Sequence, residues 1–246
     1  MKLSIIVPAY NEEVLIGTCI SSILDSIHAT HCDAEVIISN NASTDRTEEI
    51  ARSYGEVHVV NETRKGITYA RQAGFDASTG DLIANIDADT KMSPEWIRTV
   101  MSAFKKDPHL VAMSGPYIYY DLSLFQRTLV ALFYQLAYIL HFINTLLGKG
   151  AMLQGGNYVV TRDALQKIGG FDTSISFYGE DTDIAKRISS QGTVLWSFKL
   201  SLQTSGRRLK EEGLVRMSWK YAMNHISILY FNTVATKEYR DIRPKG

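Results

Sequence analysis

The stretch Thr79-Gly80-Asp81-Leu82-Ile83-Ala84-Asn85-Ile86-Asp87-Ala88-Asp89-Thr90 decides how the chain reads. Leu82 to Ile86 is an apolar run of strand length that leads straight into two carboxylates one residue apart, and Ser93-Pro94 then predicts the start of a helix. The two acids therefore fall at the carboxyl end of a strand, the place where open α/β sheets bind ligands. Acids this close repel each other unless a cation or hydrogen-bond donors compensate. Mg²⁺ or Mn²⁺ suits such a pair, because these ions take oxygen ligands from one or two carboxylates and the rest from substrate phosphates. A solvated acidic turn would carry the same three residues; the position at a strand end favours the metal reading.

Working outward, strands alternate with helices over the first half. Leu3 to Pro8 reads as a buried first strand, and Asn11 is expected to cap a helix with Glu12 and Glu13 in its first turn and Val14, Ile16, Ile20, Ile23, Leu24 and Ile27 on its apolar face. The turn before it contains no glycine, which argues against a Rossmann dinucleotide site and leaves a flat base to lie beside Tyr10. Val36 to Ile38 is a second strand, followed by the polar loop Ser39 to Thr47 and a helix from Thr47 to Tyr54. Val57 to Val60 and a helix from Gly66 to Ala77 complete the approach to Leu82. Such alternation predicts a doubly wound, mostly parallel sheet flanked by helices, with its loops gathered at one edge.

The 246 residues, 45% of them hydrophobic, suffice for one α/β domain with an elaborated second half. Lys and Arg number 26 and so do Asp and Glu, which leaves no basic field to suggest nucleic acid. From Ser205 onward, however, nine basic residues (Arg207, Arg208, Lys210, Arg216, Lys220, Lys237, Arg240, Arg243, Lys245) face four acids (Glu211, Glu212, Glu238, Asp241), an excess of five. Cys19 and Cys32 lack metal-ligand spacing, and no signal segment is read ahead of the first strand, so a reducing cytoplasm is expected.

Val7-Pro8-Ala9-Tyr10-Asn11-Glu12-Glu13, Ser43-Thr44-Asp45-Arg46-Thr47, Gly66-Ile67-Thr68-Tyr69-Ala70-Arg71 and Asp87-Ala88-Asp89, in this order, resemble family 2 glycosyltransferases of the GT-A fold. The resemblance continues through Gly155-Gly156-Asn157, Gly169-Gly170-Phe171-Asp172 and Gly179-Glu180-Asp181, and so covers about residues 1–191. It implies a metal-dependent, inverting transfer of sugar from a nucleoside diphosphate, UDP first, to an acceptor hydroxyl in glycan or cell-envelope polysaccharide synthesis. Carried over residue by residue, it puts the base near Pro8, Tyr10, Glu12, Asn40 and Asn41, with Arg71 reaching toward the diphosphate. Asp89 becomes the main metal ligand and Asp87 faces ribose or metal. Asp181 becomes the general base, Glu180 orients acceptor or backbone, and Gly155, Gly156 and Asn157 meet the sugar. The family usually has an aspartate where Asn40-Asn41 stands, and some relatives place a metal-binding histidine near Thr204, where this chain has none.

The second half adds a helix from Ser93 to Lys106 and a strand from Leu110 to Gly115. Thr128 to Gly148 then holds no charged residue and repeats Leu129, Leu132, Phe133, Leu136, Leu140, Ile143 and Leu147 at helical spacing, with Arg127, Tyr134, Tyr138, His141 and Thr145 opposite. Gln135, His141, Asn144 and Thr145 make it a poor membrane span. Two readings stand: the apolar face packs on the sheet and the tyrosine stripe lines a groove, or the helix lies on an anionic membrane surface. Glu180 is expected to open a helix to Gln191, Val194 to Thr204 to return to the sheet, and Leu214 to Phe231 to pack through Val215, Trp219, Ala222, Ile226 and Leu229. Arg207 and Arg208 are candidates for neutralising the diphosphate. The expected organisation is a catalytic domain over 1–204, divided into a nucleotide-sugar half (1–115) and an acceptor half (116–204), with a basic helical extension over 205–246. The expected partners are a nucleoside-diphosphate sugar, a glycan or lipid-linked acceptor and the inner face of the cell membrane. The competing readings are a sugar-nucleotide-binding scaffold without turnover and a sugar-phosphate nucleotidyltransferase; the latter would usually show a glycine-rich phosphate loop after the first strand, which is absent.

Overall fold

A computed structural model describes residues 1–146, 152–175, 177–231, 233 and 235–236. Leu147, Gly148, Lys237, Glu238, Arg240, Asp241, Arg243 and Lys245, and the side chains of Leu140, Thr145, Val215 and Leu229, lie outside the described residues. The elements follow in order as β1 (Leu3–Ala9), α1 (Ile16–Thr30), β2 (Ala34–Asn40), α2 (Thr47–Arg52), β3 (Val57–Asn61), α3 (Ile67–Ala77), β4 (Leu82–Ile86), β5 (Thr90–Lys91) and α4 (Pro94–Lys106). Then come β6 (Leu110–Ser114), β7 (Tyr117–Tyr119), α5 (Leu124–Leu146), β8 (Asn157–Thr161), α6 (Arg162–Lys167), α7 (Glu180–Ile188), β9 (Thr193–Trp196), β10 (Leu202–Thr204), α8 (Arg207–Glu212) and α9 (Leu214–Phe231).

Seven strands form the main sheet in the order β3-β2-β1-β4-β8-β6-β9. β8 alone runs antiparallel to its neighbours β4 and β6, with Ile86 opposite Asn157. That reversal positions the site, because a strand running backwards begins where the others end and so starts its glycine turn beside Asp87. Both faces of the sheet are covered, which is why its central strands β1, β4 and β8 are buried almost throughout rather than alternating. Leu3, Ile5 and Val7 pack with Ile16, Ile20 and Ile23 of α1 and Trp96, Ile97 and Val100 of α4. Ile6, Ile37 and Ile83 face Phe75, Leu165, Ile184 and Ile188 of α3, α6 and α7.

Several expectations are corrected. α1 begins at Ile16, not at Asn11: Asn11 adopts a left-handed φ of 49° and bonds across to the 43–44 loop, while Glu12 O accepts from Leu15 N and Ile16 N. Val14 consequently lies ahead of the helix and is 76% exposed. The segment from Val194 to Thr204 divides, β9 joining the main sheet and β10 a separate three-stranded sheet in the order β5-β10-β7. α9 is rotated from the expected face: Trp219 is 68% exposed, and Met217, Asn224 and Ile228 are buried.

The largest departure is α5. It attaches through Tyr134, the one buried member of its tyrosine stripe among the described residues: its ring centroid is 5.9 Å from that of Trp196, and its hydroxyl donates to Gln154 Oε1 at 2.9 Å and accepts from Tyr117 N at 3.3 Å. Tyr138 packs edge-on to Phe198, and His141 lies beside Tyr138. The leucine face points out, with Leu132 61% and Leu136 58% exposed. The sheet's faces are already occupied by other helices, so the packed-on-sheet reading of this apolar face is wrong. Among the described residues no helix is long and apolar enough to cross a membrane.

Candidate active site

The carboxyl ends of β1, β2 and β4 bring the predicted residues together. Two loops are stitched to each other there: Thr44 N donates to Asn11 Oδ1 at 2.8 Å, Glu13 N to Asp45 Oδ2 at 3.1 Å and Glu12 N to Thr47 Oγ1 at 2.7 Å. Tyr10 stands at the mouth, where Lys65 Nζ lies 4.8 Å from its ring centroid and 3.0 Å from its hydroxyl. Pro8 occupies the penultimate position of β1, opposite Ser39. Asn41 ties the loop to the start of α3, donating to Glu62 O and Arg64 O and accepting from Gly66 N. Asn40 donates to Glu48 and Asn61, while its buried Oδ1 has no partner in the structure.

Asp87 and Asp89 leave β4 toward this crevice. Asp87 Oδ2 accepts from the Tyr117 hydroxyl at 2.8 Å, and Asp87 Oδ1 lies 3.7 Å from Arg71 Nη2. Gly156 passes so close, at φ 76°, that a Cβ there would overlap the Asp87 carboxyl. Asp89 Oδ1 accepts from Thr204 Oγ1 at 3.1 Å, and its Oδ2 is 3.3 Å from Arg207 Nη2. Burial raises Asp89 from its ordinary 3.8 to about 7; the Asp87 and Glu12 charges add to the shift, and Arg207 and Thr204 oppose it. Because the folded-state value stands above the unfolded one, the fold loses stability as pH climbs from about 4 to about 7 and keeps that deficit above it.

The catalytic-base candidate is joined to the Asp-x-Asp through one glycine. Gly155 N donates to Asp181 Oδ2 at 3.1 Å, and Gly155 O accepts from the same Tyr117 hydroxyl, at 2.6 Å, that bonds Asp87. Asp181 lies in the first turn of α7, and Thr182 N donates to its other oxygen at 2.8 Å. Glu180, one residue earlier, is buried and paired with Arg71; burial lifts it to about 7, with Arg71 opposing and Asp181 reinforcing the shift.

Three assignments read differently in three dimensions. Arg71 is 1% exposed, is held between Glu180 and Asp87 and has its guanidinium 5.6 Å from the Tyr158 ring centroid, so it braces the carboxylates from beneath. Asn157 is wholly buried, accepting from Trp96 Nε1 and donating to Gly115 O and Leu200 O; it anchors the glycine turn. The arginine pair separates: Arg207 joins Glu12 and Asp89, while Arg208 bonds Glu212 and stacks over Phe177. Tyr117 and Thr204 were missed, since a tyrosine after Gly115-Pro116 and a strand threonine carry no sequence signal until β7 and β10 pair and bring them to the aspartates.

Among the described residues no three His, Cys, Asp or Glu side chains form a metal cage. One or two carboxylates at a phosphate site are nevertheless the usual protein share of a Mg²⁺ or Mn²⁺ shell. Asp89 and Asp87 fit that share, and the raised Asp89 carboxyl is a group that a dication would relieve.

The chain resembles a mannosyltransferase from Pyrobaculum calidifontis solved with GDP-Man and Mn²⁺ (TM-score 0.67, 19% identity, 94% of this chain and 63% of that one). It also resembles the glucosyl-3-phosphoglycerate synthase of Mycobacterium tuberculosis solved with Mn²⁺, UDP and phosphoglyceric acid (TM-score 0.62, 23% identity, 92% and 77%). These likenesses establish the fold, GT-A, with its mostly parallel seven-stranded sheet. In sequence the chain is 29% identical over 120 residues to the glucosyl-dolichyl phosphate glucuronosyltransferase of Haloferax volcanii, an alignment covering 47% of this chain and 38% of that relative's length. Residues 148–206 match a family described as the N-terminal domain of galactosyltransferase. Residues 4–169, more than half of the 246, match glycosyl transferase family 2, and the chain belongs to that family.

Proposed function

We propose that this glycosyltransferase moves a sugar from a UDP-sugar to an acceptor hydroxyl with inversion, using a divalent cation held chiefly by Asp89 and secondarily by Asp87. The observation that carries the reading is the bridge Asp181–Gly155–Tyr117–Asp87, which fixes a proton acceptor relative to the phosphate end of the site through two backbone atoms of one glycine. Asp181, oriented by the Gly155 and Thr182 N–H groups, takes the acceptor proton as the hydroxyl attacks the anomeric carbon. Gly155 and Gly156, without side chains, let sugar approach the backbone. Glu180 spends its charge on Arg71 and holds the start of α7 in place. The base lies by Pro8, Tyr10 and Glu12 and against the Asn40–Asn41 loop, where the unpartnered Asn40 Oδ1 can accept from a pyrimidine N–H. Arg207 offsets charge on the departing diphosphate. A bound cation supplies further neutralisation of that leaving group.

Support for a membrane-proximal acceptor comes from α5. Leu129, Leu132, Phe133, Leu136 and Ile143 present an uncharged, solvent-facing strip, and the chain from Ser205 onward carries five excess positive charges. Apolar insertion combined with attraction to anionic lipid is the usual basis of reversible surface binding. The H. volcanii relative's name, which includes a dolichyl phosphate, fits the same setting.

Calorimetric titration with UDP and GDP, with and without Mn²⁺, tests the core of the proposal. Wild type should bind UDP more tightly with Mn²⁺, and Asp89→Ala should lose that gain by about tenfold or more, the scale of one charge-assisted contact. Equal affinity with and without metal in both proteins would sink the cation reading.

A further inference from the structure

Arg207 Nη2 reaches two carboxylates, bonding Glu12 Oε1 and lying 3.3 Å from Asp89 Oδ2. Depth decides what this contact does. The Glu12 and Asp89 side chains are 3% and 14% exposed and that of Arg207 is 28% exposed, so the arginine lies on the solvent side of both acids. A cation approaching Asp89 finds a guanidinium already 3.3 Å from its Oδ2.

The backbone beneath it is fixed on two sides. Ser205 N donates to Asp89 O at 3.3 Å, and Thr204 pairs with Thr90 across β5 and β10. Ser205 Oγ and Gly206 N donate to the Asp121 carboxylate at 3.0 and 2.5 Å, and a Cβ on Gly206 would meet Leu122 Cδ2 at 2.6 Å. Arg207 therefore starts from a set point, from which its long side chain reaches Glu12 and Asp89. Arg71 is committed to Glu180 below the site, so it is not the guanidinium that caps Asp89.

We propose that Arg207 is an exchangeable internal cation: it neutralises Asp89 and Glu12 in the donor-free protein, is displaced from Asp89 by the divalent ion, and is thereby handed to the incoming diphosphate. The proposal rests on the cation and nucleotide-diphosphate reading above. A divalent ion at Asp89 and the guanidinium 3.3 Å from its Oδ2 repel each other, so without nucleotide the arginine and the metal ion compete. With nucleotide they cooperate, because the diphosphate accepts the fork that Asp89 releases. Cation binding thus becomes conditional on the donor, which separates this role from simple bracing of the carboxylates.

Mn²⁺ binding, read by electron paramagnetic resonance of the free ion and by Mn²⁺-dependent thermal shift, tests this without any turnover. In the absence of nucleotide Arg207→Gln should bind Mn²⁺ about tenfold tighter than wild type, the low end of coupling between close charges. Its melting temperature should also rise more with Mn²⁺, because binding the folded state stabilises it. Arg207→Lys keeps the charge but loses the planar fork, and should gain a smaller factor, about threefold. With UDP present the gain should vanish or reverse. Unchanged or weaker Mn²⁺ binding in both variants overturns the exchange. If wild-type UDP and GDP affinities also ignore Mn²⁺, the cation reading itself falls with it; if they respond to Mn²⁺, the exchange alone is wrong.

Discussion

The first half of the chain and the second treat the same kind of sequence in opposite ways. α1 and α5 both carry branched aliphatic residues at helical spacing; α1 buries Ile16, Ile20 and Ile23 completely, while α5 leaves Leu132 and Leu136 more than half exposed. The difference lies in what surrounds them rather than in the helices. α1 shares one sheet face with α4 and buries its apolar side there, whereas α5 arrives after both faces are occupied and attaches through Tyr134 and Tyr138, whose rings find Trp196 and Phe198. Periodicity reveals that a helix is two-faced; it does not reveal which face meets a partner.

The same division should appear in the chemistry, with the largest expected effect. Asp181 lies in the second half of the chain and is linked to Asp87 of the first through Gly155 and Tyr117. Asp181→Asn keeps the shape and loses the proton acceptor, so transfer should fall about 10²- to 10⁴-fold while UDP affinity with Mn²⁺ stays near wild type. A variant that retains more than about half of wild-type transfer would move the base to another residue and break the division of labour.

Stability should divide the halves next. Ile20→Ala empties a fully buried site under β1 and should cost about 2–5 kcal/mol in denaturant unfolding. Leu132→Ala, on the exposed strip, should stay within about 0.5 kcal/mol. A cost at Leu132 approaching that at Ile20 would mean the strip is covered in solution, and the contrast between the helices would be lost.

The halves also differ in how much could be read in advance. β1, β4, α3 and α4 were legible almost to the residue, since each combines a local signal with a matching environment: β-branched runs for strands buried on both faces, and Ser93-Pro94 for a helix start. The Asp-x-Asp position was legible for the same reason. What escaped is long-range. Arg71 reads as a phosphate ligand in its motif, yet it is buried against Glu180, more than a hundred residues away, which reaches it only when α7 packs near α3. Tyr117 and Thr204 become neighbours of the aspartates through a small sheet whose strands of two and three residues are too short to carry a pattern. Asn11 was misread because a capping residue and a left-handed turn residue are the same residue type, and only the bonds to Ser43 and Thr44 separate the two roles.

The outward strip of α5 gives the smallest expected effect and bears directly on the contrast between the helices. If that strip is seated on a membrane in the working state, both helices bury their apolar faces after all, one on the sheet and the other on lipid. Vesicle flotation at low salt should then bring wild-type protein up with anionic vesicles and leave it below with neutral ones, each basic residue near the surface contributing about 1 kcal/mol. Raising salt to about 1 M should weaken the association, because charges are then screened within about 3 Å. Changing both Leu132 and Phe133 to Ser removes apolar area from the contact, together with the edge contact of Phe133 on Tyr134, and should lower partitioning about tenfold at unchanged circular dichroism. The salt response and the serine response are independent, since one reads the basic excess and the other the apolar strip. Wild-type protein that stays below anionic vesicles at low salt would refute the membrane reading. In that case α5 keeps an unpartnered apolar face, and the acceptor is to be sought among soluble sugars reaching the Gly155 turn.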